Sequence, residues 1–439
     1  MVNALRRAVR IVRNVIQSPI TGRKRFGTGK TLIGLLITIA ILLPKGDTLM
    51  LRQSEWAAAE YRFDLMGWEL ANFPAKWVQR VKDVLPWAAN GTGSRKDQLN
   101  RYIELSSMIR DTVEDLASMP FHPTLDSEER SDIQDSLARL KSERKSLRNG
   151  VEELVESIVS SVLVKEDLTA IGPLIWPPVD VRFDFAPNVL VTSPRDHIER
   201  LDSILLDPDI PVTAIEHIEN SLQEQSNLSG IVIQVGGVAT YPTVIPPGGD
   251  LKRLLELTAH EWLHTHFFFH PFGQALFSDA EMFTLNETLA NLFGREVALS
   301  AHESLVATLL PEAITRDHRE NVPESEGLDF DQFMQDTRHL VDKSLNDGDV
   351  VGAESLMEDR RIILNARGFN IRKINQAWFA FYGTYADSPA SVSTIDTELE
   401  ELRSLVPTLG HLIRMLRGVS SYDMFLELLD RHSEEFNRK

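Results

Sequence analysis

One segment, residues 251–268, limits the fold of this chain more than any other. It contains neither Gly nor Pro to break a helix, and apolar residues occupy nearly every side of the helix that it would form. A helix with this pattern has to lie in the interior of a domain, surrounded by other elements. The positions that would anchor one side of it in the core are Leu251, Leu254, Leu255, Thr258 and Trp262.

The same segment contains the sequence His-Glu-Trp-Leu-His at residues 260–264. Residues four apart on a helix are separated by about 40° around its axis, so the imidazoles of His260 and His264 can bind one metal ion. Glu261 projects beside the pair, where its carboxylate can act as a general base toward a water molecule. Such a site needs a third protein ligand.

The candidates for the third ligand are His266, His270, Asp279, Glu281 and Glu287. His270 has the spacing of the third His in metzincin peptidases, but the sharp turn of that motif needs a glycine where Phe267 stands. Residues 278–281 read Ser-Asp-Ala-Glu, a capping box that would begin a new helix with acidic residues at its positive end. We therefore expect Asp279 and Glu281 to begin that helix.

The helix predicted after residue 280 has two different sides. Glu287 and Asn291 lie four residues apart on the side opposite the apolar stripe, with Ala290 and Gly294 as small neighbours. These small residues would let the helix of the two histidines approach closely enough for a carboxylate to share their metal. The alternative for Glu287 is a glutamate on a solvated helix face.

The combination of HExxH with a helix that contains NExxA resembles the gluzincin metallopeptidases, which include thermolysin-like and aminopeptidase-like enzymes. The residues that match are His260, Glu261, His264, Asn286, Glu287 and Ala290. The resemblance implies a zincin-like domain with one Zn²⁺ per chain, held by His260, His264 and Glu287. Glu261 would be the general base. The residue one turn after Glu287, which is Asn291 here and usually Asp, would brace the first histidine.

The resemblance also implies a peptide or protein substrate, trimmed from its amino end or cleaved internally. Gluzincins commonly bind the substrate along an edge strand above the metal helix. The best local fit is the segment GIVIQVGGV, where Gly236, Gly237 and Val238 are the predicted substrate-binding residues. The alternative is an ordinary strand that is followed by a loop.

The oxyanion of the tetrahedral intermediate needs a second electrophile, often a Tyr or His donor. Tyr382 and Tyr385 are the candidates, in a turn that contains a glycine. An aromatic packing role is the alternative for each. The surrounding sequence, residues 375–391, is loosely similar to predicted membrane-associated bacterial aminopeptidases.

The order of the secondary-structure signals predicts an α+β fold that is mainly helical. Residues 47–165 contain two apolar stripes at helical spacing, separated by a turn at Met119-Pro120, which predict a helical hairpin. Strand signals follow in residues 171–194 and 230–235, and the pattern is helical from residue 250 onward. Strands followed by helices favour α+β over an alternating α/β sheet. We expect a catalytic region at residues 166–300 and a C-terminal helical subdomain at 301–439 that completes its cleft.

The first 46 residues differ in charge from the rest of the chain. They contain nine Lys or Arg and no Asp or Glu, so the remainder has a net charge of −27 within a total of −18. An acidic body of this kind repels phosphates and excludes a nucleic-acid partner. The chain has no cysteine, which excludes thiolate ligands, thiol nucleophiles and disulfides.

Residues 31–43 are uninterruptedly apolar and follow a basic flank, as in a membrane-targeting segment. Because no small-x-small cleavage site follows, we expect an uncleaved single-pass anchor, with the N-terminus in the cytoplasm and the acidic body outside it. A signal-peptide core, a buried helix and a transit peptide are the alternatives.

Two other functions remain open on the sequence. The first is a membrane-anchored helical scaffold with a non-catalytic HExxH, against which the intact Glu261 argues. The second is a zinc hydrolase of amides or esters that are not peptides. Oligomeric state is not indicated by the sequence.

Overall fold

The computed structural model describes residues 51–72, 92–118, 127–248, 250–276, 278–308 and 328–438. Over these residues the protein has an α+β fold, mainly helical with two small sheets, which confirms the predicted fold class. The predicted anchor at residues 31–43 and the predicted turn at Met119-Pro120 lie outside the described residues. None of the described helices combines the length and the apolar character needed to cross a lipid bilayer.

Helices precede, separate and follow the strands along the chain. The helices are α1 (Gln53–Ala57), α2 (Thr92–Ser118), α3 (Ser127–Lys165), α4 (Val212–Ser226), α5 (Leu251–Phe267), α6 (Pro271–Gln274), α7 (Ala280–Thr308), α8 (Phe330–Asn346), α9 (Val350–Ala366), α10 (Gln376–Tyr382), α11 (Ile395–Leu405), α12 (Leu409–Leu416) and α13 (Tyr422–Asn437). The strands are β1 (Val181–Phe183), β2 (Asn188–Pro194), β3 (Asp202–Leu206), β4 (Leu228–Gln234) and β5 (Thr243–Ile245). The sequence predicted β1, β2 and β4, whereas β3, β5 and α4 were not predicted.

Helices α2 and α3 form the predicted hairpin and pack against each other. Their contact face is apolar, with Tyr102 and Leu105 of α2 and Val151 and Val155 of α3 fully or almost fully buried. At the rim of this face, an ion pair between Arg101 of α2 and Glu143 of α3 joins the helices at 2.8 Å. The apolar stripes predicted from the sequence for α2 and α3 therefore pack against each other.

The larger sheet has the strand order β3-β2-β4 and is antiparallel throughout. Its central strand is buried on both faces, because alternate side chains of a strand point in opposite directions. Leu190 pairs with Ile204 and Val232 on the face covered by α4. Val191 and Ile231 on the other face contact the core that α8, α9 and α10 complete.

The smaller sheet pairs β1 with β5 in parallel. The other edge of β1 is covered by α3, whose glutamates accept hydrogen bonds from the strand. The Phe183 N–H donates to Glu152 at 2.7 Å and the Val181 N–H donates to Glu156 at 2.8 Å. Side-chain carboxylates thus replace a neighbouring strand and fix β1 against the helical hairpin.

Helices α5 and α7 lie in the largest core, together with α2, α3 and α11 to α13. Asp250 caps α5 by accepting from the Arg253 N–H at 2.7 Å. Asp279 caps α7 in the same way, accepting from the Met282 N–H at 2.7 Å. The predicted capping role of residues 278–281 holds, but the capping side chain is Asp279, because Ser278 donates instead to the Ala275 carbonyl at 2.7 Å.

Candidate metal centre

The two helices that carry the predicted ligands approach each other closely because small residues lie between them. A Cβ atom added at Gly294 of α7 would lie 2.7 Å from the Glu256 carbonyl oxygen and 3.4 Å from the His260 Cβ, both on α5. Ala290, one turn earlier on α7, is completely buried. The predicted close approach at Ala290 and Gly294 is therefore confirmed.

This approach brings His260, His264 and Glu287 together into a group that could hold a metal ion. The Nε2 atoms of the two histidines are 3.1 Å apart, and each is 3.7 Å from the Glu287 Oε2. Ligands at zinc distances in a tetrahedral site are separated by about 3.3 Å. The donor atoms and their separations thus fit a small tetrahedral ion such as zinc.

The charges in the group attract a cation. Burial disfavours a charged imidazole at His264, but the charge and hydrogen bond of Glu287, together with Glu261 and Asn286, outweigh burial and raise the pKa of His264 to about 9. Burial likewise disfavours a charged Glu287, and the two histidines outweigh it, so the pKa of Glu287 is well below its usual range. The same carboxylate that stabilises an imidazolium would stabilise a metal ion between these three side chains.

The imidazole of His264 is held by Asn286, which is almost completely buried. Its Oδ1 lies 2.7 Å from the His264 Nδ1 and accepts a hydrogen bond from that nitrogen, so in the neutral ring, the form that binds a metal, the Nε2 lone pair is directed at the site. Asn286 matches the NExxA pattern, but its hydrogen bond to His264 was not predicted. The NExxA match is the feature of the sequence that could have identified Asn286 as a site residue.

Asn291 does not brace His260, and that prediction is wrong. Its Nδ2 donates to Asp387 at 3.1 Å, and Arg295 on the next turn pairs with the same carboxylate at 2.5 Å. One turn earlier, the Thr288 hydroxyl accepts from the Ala386 N–H at 2.9 Å. Asn291 therefore contacts the loop that follows α10. Together with Thr288 and Arg295 it holds this loop, and it does not orient the His260 imidazole.

The anchored loop includes Tyr385, one of the two predicted oxyanion donors. Burial raises the pKa of Tyr385 well above its usual value, and the nearby carboxylates of Glu287 and Glu261 raise it further. Tyr382 instead packs on Trp378, with ring centroids 4.5 Å apart, and burial alone raises its pKa. The structure brings Tyr385 to the site and leaves Tyr382 in the core beneath the sheet.

Glu261 lies beside the predicted substrate-binding segment. Its side chain is 7% exposed, and burial raises its pKa, with Glu287 acting in the same direction and the two histidines opposing. A Cβ atom added at Gly237 would lie 2.6 Å from the Glu261 Oε1, so any other residue there would displace the Glu261 carboxylate. The raised pKa suits a group that must accept a proton near neutral pH.

The three residues of that segment have different backbone surroundings. Val238 exchanges two hydrogen bonds with Val244, at 3.1 and 3.2 Å, so its backbone N–H and C=O are already used. Val238 therefore cannot pair with a peptide strand as predicted. Within the described residues, Gly236 and Gly237 make no backbone hydrogen bond; they lie just after β4, and Gly237 is beside Glu261.

The remaining ligand candidates lie away from the donor group. His266 donates from Nδ1 to the Trp176 carbonyl at 3.2 Å and accepts from Arg417 at Nε2, also at 3.2 Å. His270 precedes α6 and contacts His266, with ring centroids 4.9 Å apart. Asp279 and Glu281 begin α7, as predicted.

A positively charged residue near the site was not predicted. Arg200, in the loop between β2 and β3, has its guanidinium carbon 4.7 Å from the ring centroid of Phe283 and 5.5 Å from that of Phe381. Phe283 lies one turn before Glu287 on α7, and Phe381 lies one turn before Tyr385. No pattern in the sequence distinguishes Arg200, because the contact joins three distant segments.

No protein-family model, no curated protein and no solved structure matches this chain.

Proposed function

We propose that the protein is a zinc-dependent peptidase of the gluzincin kind. The observation that carries the proposal is the position of Glu287, whose carboxylate lies 3.7 Å from both imidazole Nε2 atoms. An isolated HExxH can occur by chance, but a third donor of the right chemistry, supplied by a second helix at tetrahedral separations, is a further and independent requirement. The NExxA helix meets that requirement.

His260, His264 and Glu287 would hold the ion, which when bound polarises a carbonyl group and lowers the pKa of a water molecule toward about 7. Glu261 would accept a proton from that water and deliver it to the leaving amine. Its raised pKa and its burial suit both transfers. Asn286 keeps the His264 proton on Nδ1, so that the other nitrogen remains a donor of electrons to the ion.

Tyr385 supports the assignment of hydrolysis. Its pKa is raised far above neutral, so the hydroxyl keeps its proton at physiological pH and can donate a hydrogen bond to a developing oxyanion. The loop that carries it is fixed to α7 by Thr288, Asn291 and Arg295, on the same helix as Glu287. A donor positioned in advance costs little reorganisation during the reaction.

The test begins with the full-length chain purified without chelators. We expect about one zinc per chain and cleavage of a peptide library, measured by metal analysis and mass spectrometry. Glu261→Gln should keep its zinc and lose about 10²- to 10⁴-fold in turnover. Glu256→Gln on the same helix, where the carboxylate already pairs with Arg253 at 3.3 Å, is the matched control and should keep turnover.

A wild-type chain that retains no zinc, or that retains zinc but cleaves no peptide in the library, would contradict the proposal. A second comparison tests the oxyanion donor. Tyr385→Phe should lower kcat by about 10²- to 10³-fold, whereas Tyr382→Phe, in the core beneath the sheet, should change kcat little. Equal losses in both variants would remove Tyr385 from the mechanism.

A further inference from the structure

Arg200 lies at the wall of the candidate site and is held there by neutral groups. Its Nε donates to the Ser203 hydroxyl at 2.7 Å, and its guanidinium carbon lies over Phe283 and Phe381 at 4.7 and 5.5 Å. Phe283 precedes Glu287 by one helical turn, and the Phe381 ring is 6.0 Å from that of Tyr385. The guanidinium is thus fixed next to the residues that flank the metal group.

Among the described residues no carboxylate forms a hydrogen bond or an ion pair with this guanidinium, and the negative charge that acts on it through space is that of Glu287, which belongs to the metal group. Arg195, five residues earlier in the same part of the chain, shows the usual arrangement, with its Nε and Nη2 both 2.7 Å from the Glu354 carboxylate. Arg200 makes no ion pair with a described residue, and its two Nη atoms donate to none. Burial lowers its pKa, as expected for a cation removed from water. Arg200 is half-buried, and a partly desolvated charge that has no ion-pair partner is stabilised by a ligand of opposite charge.

The carboxylates around the site are, in contrast, already used. Asp387 is paired with Arg295 at 2.5 Å, and Glu256 with Arg253 at 3.3 Å. These groups are therefore poorly placed to receive a substrate ammonium group. Apart from Glu261, which is assigned to the proton transfers, Arg200 is the described charged group near the metal group without an ion pair, and its charge is positive.

We propose that Arg200 binds a carboxylate of the substrate and so makes the site selective for peptides with a negative charge near the scissile bond. The inference rests on the proposed peptidase function and deepens it. A guanidinium presents two parallel N–H groups that match the two oxygens of a carboxylate. The carboxylate is either the C-terminus of the peptide or an Asp or Glu side chain, and the two sources are separated by experiment.

Binding is measured first, because it does not depend on turnover. The full-length, zinc-loaded Glu261→Gln chain is titrated with N-acetyl-phenylalanine and with its amide, which offer an apolar side chain to Phe283 and Phe381. We expect the acid to bind about 10- to 100-fold more tightly than the amide. Arg200→Gln in the same background should bring that ratio close to 1. Arg200→Lys keeps the charge but lacks the two parallel N–H groups, so it should keep part of the preference for the acid.

Arg195→Gln is the matched control, since its guanidinium is already paired, and it should keep the full ratio. If the Glu261→Gln chain with Arg200 intact binds the acid and the amide equally, the carboxylate bound by Arg200 is not the C-terminus of the peptide. In that case the wild-type chain is given a library of N-acetylated peptides with amidated C-termini. The library tests whether the bound carboxylate is that of an Asp or Glu side chain or whether the inference has to be rejected. Cleavage that favours Asp and Glu over Asn and Gln by about tenfold or more, and loses this preference in Arg200→Gln, assigns Arg200 to an acidic side chain.

An undiminished acid preference in Arg200→Gln would overturn the inference, and so would equal binding combined with equal cleavage of acidic and neutral peptides. Failure of the wild-type chain to cleave any peptide would instead contradict the peptidase proposal, whatever the binding ratio. The two failures are therefore distinguishable.

Discussion

Two pairs of histidines with the same spacing lie on α5 and the turn after it, and they have opposite surroundings. His260 and His264 have ring centroids 4.8 Å apart, and His266 and His270 have ring centroids 4.9 Å apart. The first pair faces the Glu287 carboxylate, and the second faces Arg417. Spacing along the chain brings two imidazoles together in both cases, and the neighbouring charge determines what they can bind.

The effect on protonation is large. At His264 burial is outweighed by Glu287 together with Glu261 and Asn286, and the pKa is raised to about 9, whereas burial, assisted by the charge of Arg417, lowers the pKa of His266 to about 3. His266 is consequently neutral at physiological pH and uses both ring nitrogens in hydrogen bonds to protein groups. A histidine with both nitrogens occupied has no lone pair for a metal, so His266 is not available as a metal ligand.

The largest expected effect comes from removing one histidine of each pair. His264→Gln should lose the bound zinc and with it all measurable peptide hydrolysis, because two ligands remain where three are needed. His270→Gln should keep about one zinc per chain and its activity. Metal analysis after dialysis checks both variants, and a zinc-free His270→Gln with a zinc-loaded His264→Gln would reverse the comparison.

Removing the buried histidine of the second pair should lower stability without changing zinc content. His266 is 3% exposed and its ring stacks on Trp262, with centroids 4.9 Å apart. His266→Ala loses this packing and leaves the Arg417 Nε and the Trp176 carbonyl without their partner, at a cost of about 2 to 4 kcal/mol in the free energy of unfolding. Denaturant unfolding measures it, with half-buried His270→Ala as the control. Zinc loss in His266→Ala at a temperature where the variant is folded would speak against a purely structural role.

Two asparagines on α7 sharpen the comparison further. Asn286→Ala should weaken zinc binding by about 10- to 100-fold, because nothing then orients the His264 ring. Asn291→Ala should leave zinc affinity unchanged and lower kcat, since it loosens the loop of Tyr385. Competition with a fluorescent chelator gives the affinities, and weaker zinc binding in Asn291→Ala alone would restore the role first predicted for that residue.

The last effect appears only at acidic pH, in the pH dependence of stability. Because the pKa of His266 is about 3 in the folded chain and about 6.5 when unfolded, the unfolded state binds a proton first as the pH falls. The contribution of His266 is present above pH 6.5 and is lost between there and about pH 3. The stability advantage of wild type over His266→Gln should therefore shrink by about 1.4 kcal/mol per pH unit below 6.5. An advantage that is constant between pH 7 and pH 5 would exclude the low pKa.

The local patterns of the sequence predicted the elements that depend on neighbouring residues. Helical spacing predicted the α2–α3 hairpin and the buried α5, and small residues at 290 and 294 predicted the approach of α5 to α7. The missed elements, β3, β5 and α4, are short or lack a strong apolar pattern. Their positions depend on pairing with distant segments, such as β1 with β5.

By itself the sequence determined that His260 and His264 share one side of a helix and that Glu287 lies on a second helix, because these positions follow from a spacing of 3.6 residues per turn, and it left five candidates for the third ligand. Only the tertiary structure decided which neighbours they have. The contacts of Asn286 with His264, Asn291 with Asp387, Arg417 with His266 and Arg200 with Phe283 and Phe381 mostly join residues far apart in the chain. The physical reason is that backbone periodicity sets the direction of a side chain from its own helix, while the charge it meets belongs to another segment brought there by packing.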